Sequence, residues 1–156
     1  MKRIEVKKGE VLQAKGELNT KVFKVASGLL RSYSIDEKGK EHIFMFAPEA
    51  WIMADAVAHD APASLYIDAL EDSVLVQTTK NPELMHDADR MLKRMKVLQD
   101  RVIMLMSASA LDRYEHFLET YPDIVQRVPQ KMIASYLGIT PEALSKVKKD
   151  YFHKAQ

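Results

Sequence analysis

The sequence contains no cysteine. That excludes disulfide scaffolds, thiolate zinc sites, cysteine nucleophiles and cysteine-ligated iron–sulfur clusters. It fits a reducing compartment. Long apolar runs are also missing. Val102 to Met106 is typical of the longest, far short of the roughly 18–20 residues of a membrane span. Met1-Lys2-Arg3 opens with positive charge, but no apolar segment follows. Neither a signal peptide nor membrane association is therefore expected, and the expected location is cytoplasmic.

One segment lacks cations altogether. Residues 41–79 carry no Lys or Arg and 7 acids, which argues against phosphate binding there. Residues 1–40 carry 10 basic and 5 acidic side chains, and residues 129–156 carry 5 and 2. The formal net charge of +1 hides this distribution. A basic C-terminal segment points toward nucleic acid or another acidic surface. The chain has 156 residues, enough for one domain or two small ones with a real core.

Residues 1–80 read as β-rich. Val22–Val25, Leu29–Ile35, Glu41–Phe46, Ser64–Leu70 and Ser73–Thr79 are short and rich in strand formers. Ser27-Gly28, Asp36-Glu37-Lys38-Gly39 and Glu71-Asp72 supply turn chemistry between them. Short strands at close spacing predict a sandwich or barrel and not a βαβ sheet.

At Asn81-Pro82 the pattern changes. Asn81 suits a helix cap, Pro82 the first helical position and Glu83 the positive end of the dipole. A heptad follows. One position is Leu84, Met91, Leu98 and Leu105; the other is Ala88, Met95, Val102 and Ser109. Roughly 27 helical residues at about 1.5 Å each would span roughly 40 Å. A stripe sustained over nearly four heptads predicts the seam of a homodimer. Packing of the helix on its own domain would give a similar repeat. No Gly or Pro lies between Glu83 and Tyr121, so the helix is expected to continue through Ala110–Tyr121 and stop at Pro122.

The strongest local signal lies in residues 129–152. Pro129 or Gln130 opens a helix, and Ala134 is small where two helices would cross. Gly138 ends that helix in a turn that needs positive φ. Thr140 caps a second helix and Pro141 fits its first position. Ile133, Leu137, Ile139, Leu144 and Val147 are apolar where two helices crossing at a wide angle must face inward. This spacing predicts a helix-turn-helix. An αα-hairpin with no role toward DNA would share its packing.

In a DNA-binding helix-turn-helix the second helix enters the major groove. Its outward residues are Glu142, Ala143, Lys146 and Lys149. Glu142 can accept from cytosine N4, and Lys146 can donate to guanine O6 and N7. Gln130, Ser135, Ser145 and Lys148 suit phosphate contacts, and Thr140 belongs to the same DNA-facing set.

The order of parts is a β-roll, a long heptad helix and a C-terminal helix-turn-helix. With Gly28-Leu29-Leu30-Arg31, Asp36–His42, Ile67–Asp72, Arg113-Tyr114, Tyr121-Pro122, Val128-Pro129-Gln130 and above all Ile133–Glu142, it resembles the Crp/Fnr family of transcription regulators over essentially the whole chain. The resemblance implies an α+β fold. A jelly-roll-like sensor domain would occupy residues 1–80, a dimerisation helix 81–109 and a helix-turn-helix domain 110–156. It implies a homodimer that binds a two-fold site on double-stranded DNA. Glu142 and Lys146 match two base-reading positions of the family. The second is usually Arg, and Lys lacks its planar fork. Pro141 stands where many members have a basic reader. Relatives often begin with a helix and end with a β-wing; neither is expected here.

Cyclic-nucleotide members hold the ribose with a Gly-Glu pair and the cyclic phosphate with an Arg. The corresponding stretch here, Glu49–Ser64, has no Gly, Arg or Lys. Cyclic AMP in the usual mode is therefore not expected, and the effector is an unidentified small molecule if one exists. Phe44, Phe46, Trp51, Met53 and Tyr66 could line an apolar ligand pocket, and core packing accounts for them equally. No cofactor or metal is expected. His42, His59, His86, His116 and His153 show no ligand spacing for haem, and no His-x-His supports a cupin-type enzyme. A dimeric interaction protein of the same fold, without DNA binding, is the alternative.

Overall fold

The computed structural model describes residues 1–58, 60–80 and 88–154. The chain forms two compact units, Met1–His86 and Asp87–Gln156. Asn81, Pro82, Glu83 and Leu84, with the expected helix start, lie outside the described residues, as do His59 and His86.

The first unit is a pair of antiparallel sheets. Its strands are β1 (Lys2–Val6), β2 (Val11–Gln13), β3 (Lys21–Ser27), β4 (Leu30–Ile35), β5 (Glu41–Ala47), β6 (Ile52–Met53), β7 (Tyr66–Ala69) and β8 (Ser73–Thr79). One sheet runs β1-β8-β3-β6 and the other β2-β7-β4-β5. Alternation along each strand sends one set of side chains inward. On β3, Phe23 and Val25 are buried while Lys24 is exposed. Phe23 faces Gln77 and Val25 faces Leu75 in register. Val6, Phe23, Val25, Leu30, Met45, Met53, Ile67 and Leu75 form the core between the sheets. Each large apolar side chain buried there is worth about 1.5–3 kcal/mol.

Two features hold the strand connections. Gly28 joins β3 to β4 at φ 95°, and a Cβ there would stand 2.1 Å from Ser73 Oγ. Only glycine fits both the dihedral and the space. Between β4 and β7, Arg31 meets its register partner Asp68 inside the sheet. Arg31 Nε and Nη2 donate to the two Asp68 oxygens at 2.8 and 2.9 Å, and Glu41 on β5 takes the remaining edge. The guanidinium lies 4.1 Å from the Tyr33 ring centroid.

The second unit is helical. It comprises α1 (Ala88–Ser107), α2 (Ala110–Thr120), a 3-10 turn at Ile124–Gln126, α3 (Gln130–Leu137) and α4 (Pro141–Lys154). One expectation fails here. The heptad helix does not run on through Ala110–Tyr121: it ends at Ser107, and α2 starts anew. Ser109, expected on the heptad helix, lies beyond its end as the N-cap of α2. Its Oγ accepts from Asp112 N at 3.1 Å, and its own N–H donates to the Asp112 carboxylate at 3.2 Å. This reciprocal capping box satisfies helix-end donors that a continuous helix would not expose.

Buried Tyr114, Phe117, Tyr121, Ile124, Ile133, Leu137 and Leu144 form the helical core. Phe117, Tyr121 and Tyr136 meet pairwise with centroids 5.3, 5.4 and 5.6 Å apart. Such tilted and edge-on contacts suit the aromatic quadrupoles.

Candidate nucleic-acid interface

The turn between α3 and α4 follows from three residues. Gly138 is left-handed at φ 67°, and the Ile139 N–H returns to Ala134 O at 3.0 Å. This is a C-terminal cap that glycine adopts without strain. Thr140 Oγ1 then accepts from Ala143 N at 3.2 Å, and Pro141 begins α4. Leu144 and Val147 are buried on the inner face of α4, while Ile133, Ala134 and Leu137 are buried on α3. Ile139, in the turn, is half-buried.

With its inner face fixed, α4 turns one set of side chains outward. Glu142, Ser145, Lys146 and Lys149 are all exposed. At about 100° per residue they lie within one third of the helix circumference. Ala143 and Lys148 are half-buried at the margins. Ser145 Oγ donates to Pro141 O at 3.1 Å, so its hydroxyl has an acceptor within the helix. Gln130 and Thr140 are exposed, and Ser135 is half-buried. The exposed face therefore brings together Glu142, Ser145, Lys146 and Lys149, with Ala143 at its margin. Gln130 opens the neighbouring helix.

The seam residues divide. Met91, Met95 and Val102 on α1 are more than half exposed, and Ala88 is exposed too. Leu98 and Leu105 are half-buried within the helical unit. Leu92, Ile103 and Met106 join the exposed stripe, at 63, 51 and 80% accessibility, on the same side as Met95. The outward apolar face is thus rotated from the heptad positions toward Leu92, Ile103 and Met106.

In the β-domain, Met53 and Phe46 are fully buried. Phe44 and Trp51 pack against the core that contains Met53. Tyr66 is half-buried and stacks on Tyr33, centroids 5.3 Å apart. One cleft of this unit is lined by Gln13, Thr20 and Gln77 among others, and by none of those five residues.

The loop after β6 is organised by residues that sequence reasoning missed. Asp55, 4% exposed, accepts from Ser64 N and Oγ at 2.7 Å each, from Leu65 N at 2.8 Å and from Gln13 Nε2 at 3.2 Å. Burial pushes its pKa up, but the Ser64 and Leu65 donors outweigh that and hold it below the ordinary carboxylate range. Lys80, also buried, donates to Val57 O at 2.7 Å across the same loop. Burial lowers its pKa, partly offset by the Asp55 charge. The segment without cations thus receives one from just beyond its end. Among the described residues no group of three His, Asp or Glu could hold a metal ion. No described helix is long and apolar enough to cross a membrane.

Comparison with known proteins agrees with this architecture. Residues 3–82 match the cyclic nucleotide-binding domain family. The chain is 25% identical to regulatory protein HlyX of Actinobacillus pleuropneumoniae, over 91% of this chain and 68% of that one. It is 26% identical to the fumarate and nitrate reduction regulatory protein of Yersinia pestis, over 91% and 65%. The chain therefore spans about two thirds of the length of these curated relatives. A CRP/FNR-family transcriptional regulator of Thermus thermophilus superposes with a TM-score of 0.76 at 17% identity, over 98% and 87% of the two chains. With half of its length matched and a helical half of the same architecture following, the chain belongs to the cyclic nucleotide-binding domain family, in its Crp/Fnr branch.

Proposed function

We propose that the protein is a sequence-specific DNA-binding transcription regulator that works as a homodimer. The observation that carries the reading is the outward face of α4. Glu142 and Lys146 stand one turn apart, exposed, on a helix whose opposite face is buried through Leu144 and Val147. A helix held that way can enter a major groove without unfolding anything. Glu142 accepts from a cytosine amine, and Lys146 donates to guanine acceptors. Gln130 and Lys148 contact phosphates and set the register. The names of the two curated relatives describe regulatory proteins, which supports the same role here.

The exposed stripe of α1 supports the dimer. Met91, Leu92, Met95, Val102, Ile103 and Met106 place an apolar band in solvent along one side of a 20-residue helix. A second copy of that helix would cover it. Two recognition helices related by a two-fold axis then meet successive major grooves about 34 Å apart.

Control is assigned to the β-domain, through an effector other than cyclic AMP in the family's usual mode. Asp55, a buried carboxylate, accepts from Ser64 and Leu65, and a cyclic phosphate placed beside it would face its charge. An effector shifts DNA binding only by favouring one arrangement of the dimer over another.

The test is selection from random duplexes at low salt, with sequencing of what the protein retains. A palindrome with half-sites about 10 base pairs apart is expected. Glu142→Ala and Lys146→Ala should each relax the preference at one position of the half-site. Retention without enrichment, or no retention, would sink the reading and favour a dimeric interaction protein.

A further inference from the structure

The break between α1 and α2 ought to be a hinge. Residues 108 and 109 are non-helical, and the last carbonyls of α1 have no partner further along their own helix. A single side chain closes this gap. Arg113 on α2 donates from Nη2 to Leu105 O at 2.7 Å and from Nε to Ala108 O at 3.1 Å. Its third nitrogen, Nη1, donates to Leu137 O at 3.1 Å. One guanidinium therefore joins the end of α1, the break itself and the last residue of α3.

A second stitch runs in parallel. Arg101, in the C-terminal half of α1, donates from Nη2 to Tyr136 O at 3.4 Å. Its guanidinium stacks 4.0 Å from the centroid of the Tyr136 ring. Both cations thus arrive at the carbonyl end of α3, where the helix dipole favours positive charge. The next residue is Gly138, the turn that aims α4. A Cβ at Gly138 would lie 3.8 Å from both Arg113 Nη1 and Leu105 Cδ2, so the end of α1, the arginine and the turn are in direct register.

We infer that Arg113 and Arg101 are positioning residues that fix the direction of α4 relative to α1, and so set the half-site spacing the dimer accepts. The spacing part rests on the DNA-binding reading above; the geometric part does not. Neither arginine lies on the outward face of α4, so neither acts by touching a base. The three acceptors of Arg113 lie in three directions, which suits a planar group with five N–H donors. A lysine ammonium is a single point and cannot span them. Arg113→Lys is therefore the informative substitution, because it keeps the charge and most of the bulk.

The experiment uses the full chain and two measurements. In the first, the selected half-site is presented singly and as inverted repeats whose centres are moved by one or two base pairs. The wild type should prefer one spacing by about tenfold over its neighbours. Arg113→Lys, and Arg101→Ala as an independent variant, should keep single-half-site affinity within about threefold and lose most of that discrimination. Discrimination unchanged in both variants, or an equal loss on every duplex together with a lowered urea midpoint, overturns the inference. In the second, Lys93→Cys and Asp150→Cys carry spin labels on exposed positions of α1 and α4, in a chain that has no other cysteine. Labelled chain is diluted with unlabelled chain so that distances within one protomer dominate. One narrow distance is expected for the wild type and a broadened one for Arg113→Lys. Equal widths would refute the tether even for a protein that binds no DNA at all.

Discussion

Arg31 and Asp68 face each other in register on β4 and β7 and join through two parallel hydrogen bonds. Both side chains are at least nine-tenths buried. Burial by itself disfavours the guanidinium charge, and the Asp68 and Glu41 carboxylates reverse that and raise its pKa overall. Removing Asp68 strips the buried guanidinium of its buried partner and leaves it only the half-exposed Glu41 carboxylate. Asp68→Ala is expected to cost about 3–5 kcal/mol in urea unfolding, whereas the double change Arg31→Met with Asp68→Leu should recover most of it. A single-variant loss below about 1 kcal/mol would show that the pair is no more than a surface-like contact.

Two glycines with the same backbone preference should respond differently to alanine. At Gly138 a Cβ meets only ordinary contacts at 3.8 Å, so Gly138→Ala should cost about 1 kcal/mol from the left-handed dihedral alone. At Gly28 the Cβ would overlap Ser73 Oγ and approach Asp72 O to 2.8 Å. Gly28→Ala should therefore cost at least about 3 kcal/mol, or prevent folding, because the β3–β4 connection must move. Thermal melts of the two variants, run side by side, check the order.

Acid should loosen the loop after β6. The folded-state pKa of Asp55 is held below its unfolded value by the Ser64 and Leu65 donors. Its contribution to stability is complete above the unfolded pKa, about 4, and disappears as pH falls through the lower folded value. Asp55→Asn should lower the urea midpoint at pH 7 and show a smaller further drop between about pH 4 and pH 2 than the wild type. Exposed Asp36, Asp72 and Asp112 shift in the same direction, so the comparison between variant and wild type isolates Asp55. Parallel curves would assign the acid sensitivity to those surface groups.

The apolar band on α1 predicts a concentration-dependent assembly. Met95 is 62% exposed near the middle of that band. Met95→Glu puts two like charges at a two-fold contact and should shift sedimentation equilibrium to monomer, with the β-domain melt unchanged. Glu119→Gln, on the surface of α2, serves as the control and should leave the mass unaltered. A Met95→Glu protein that remains dimeric would place the contact elsewhere.

The parts that could be read from the sequence were those with local causes. Strands β3, β4, β5, β7 and β8 announce themselves through alternation and through turns such as Asp36–Gly39. The helix-turn-helix does so through Gly138, Thr140 and Pro141, whose backbone roles are specific. Strand β1 was harder: Lys2, Arg3 and Glu5 are exposed and leave little apolar alternation. The break after Ser107 carries no Gly or Pro. Its signal was Ser109 followed three residues later by Asp112, a capping pattern easily hidden inside a heptad count. The Arg31–Asp68 pair and the Gln13–Asp55 and Arg113–Leu137 bonds join residues 37, 42 and 24 apart, and the shorter Asp55 and Arg113 bonds follow no helix or strand period, so no single-sequence pattern reports these partners.

The outward sulfur atoms of α1 have a chemical consequence. In a chain without thiols, methionine is the side chain that a mild peroxide attacks first. Met91, Met95 and Met106 are 55, 62 and 80% accessible in the single chain. Each sulfoxide would add a polar, chiral oxygen to a surface that is mostly apolar. Any partner helix lying on that surface shields these sulfurs, so their rate of oxygen uptake becomes a clock for how often the helix stands uncovered.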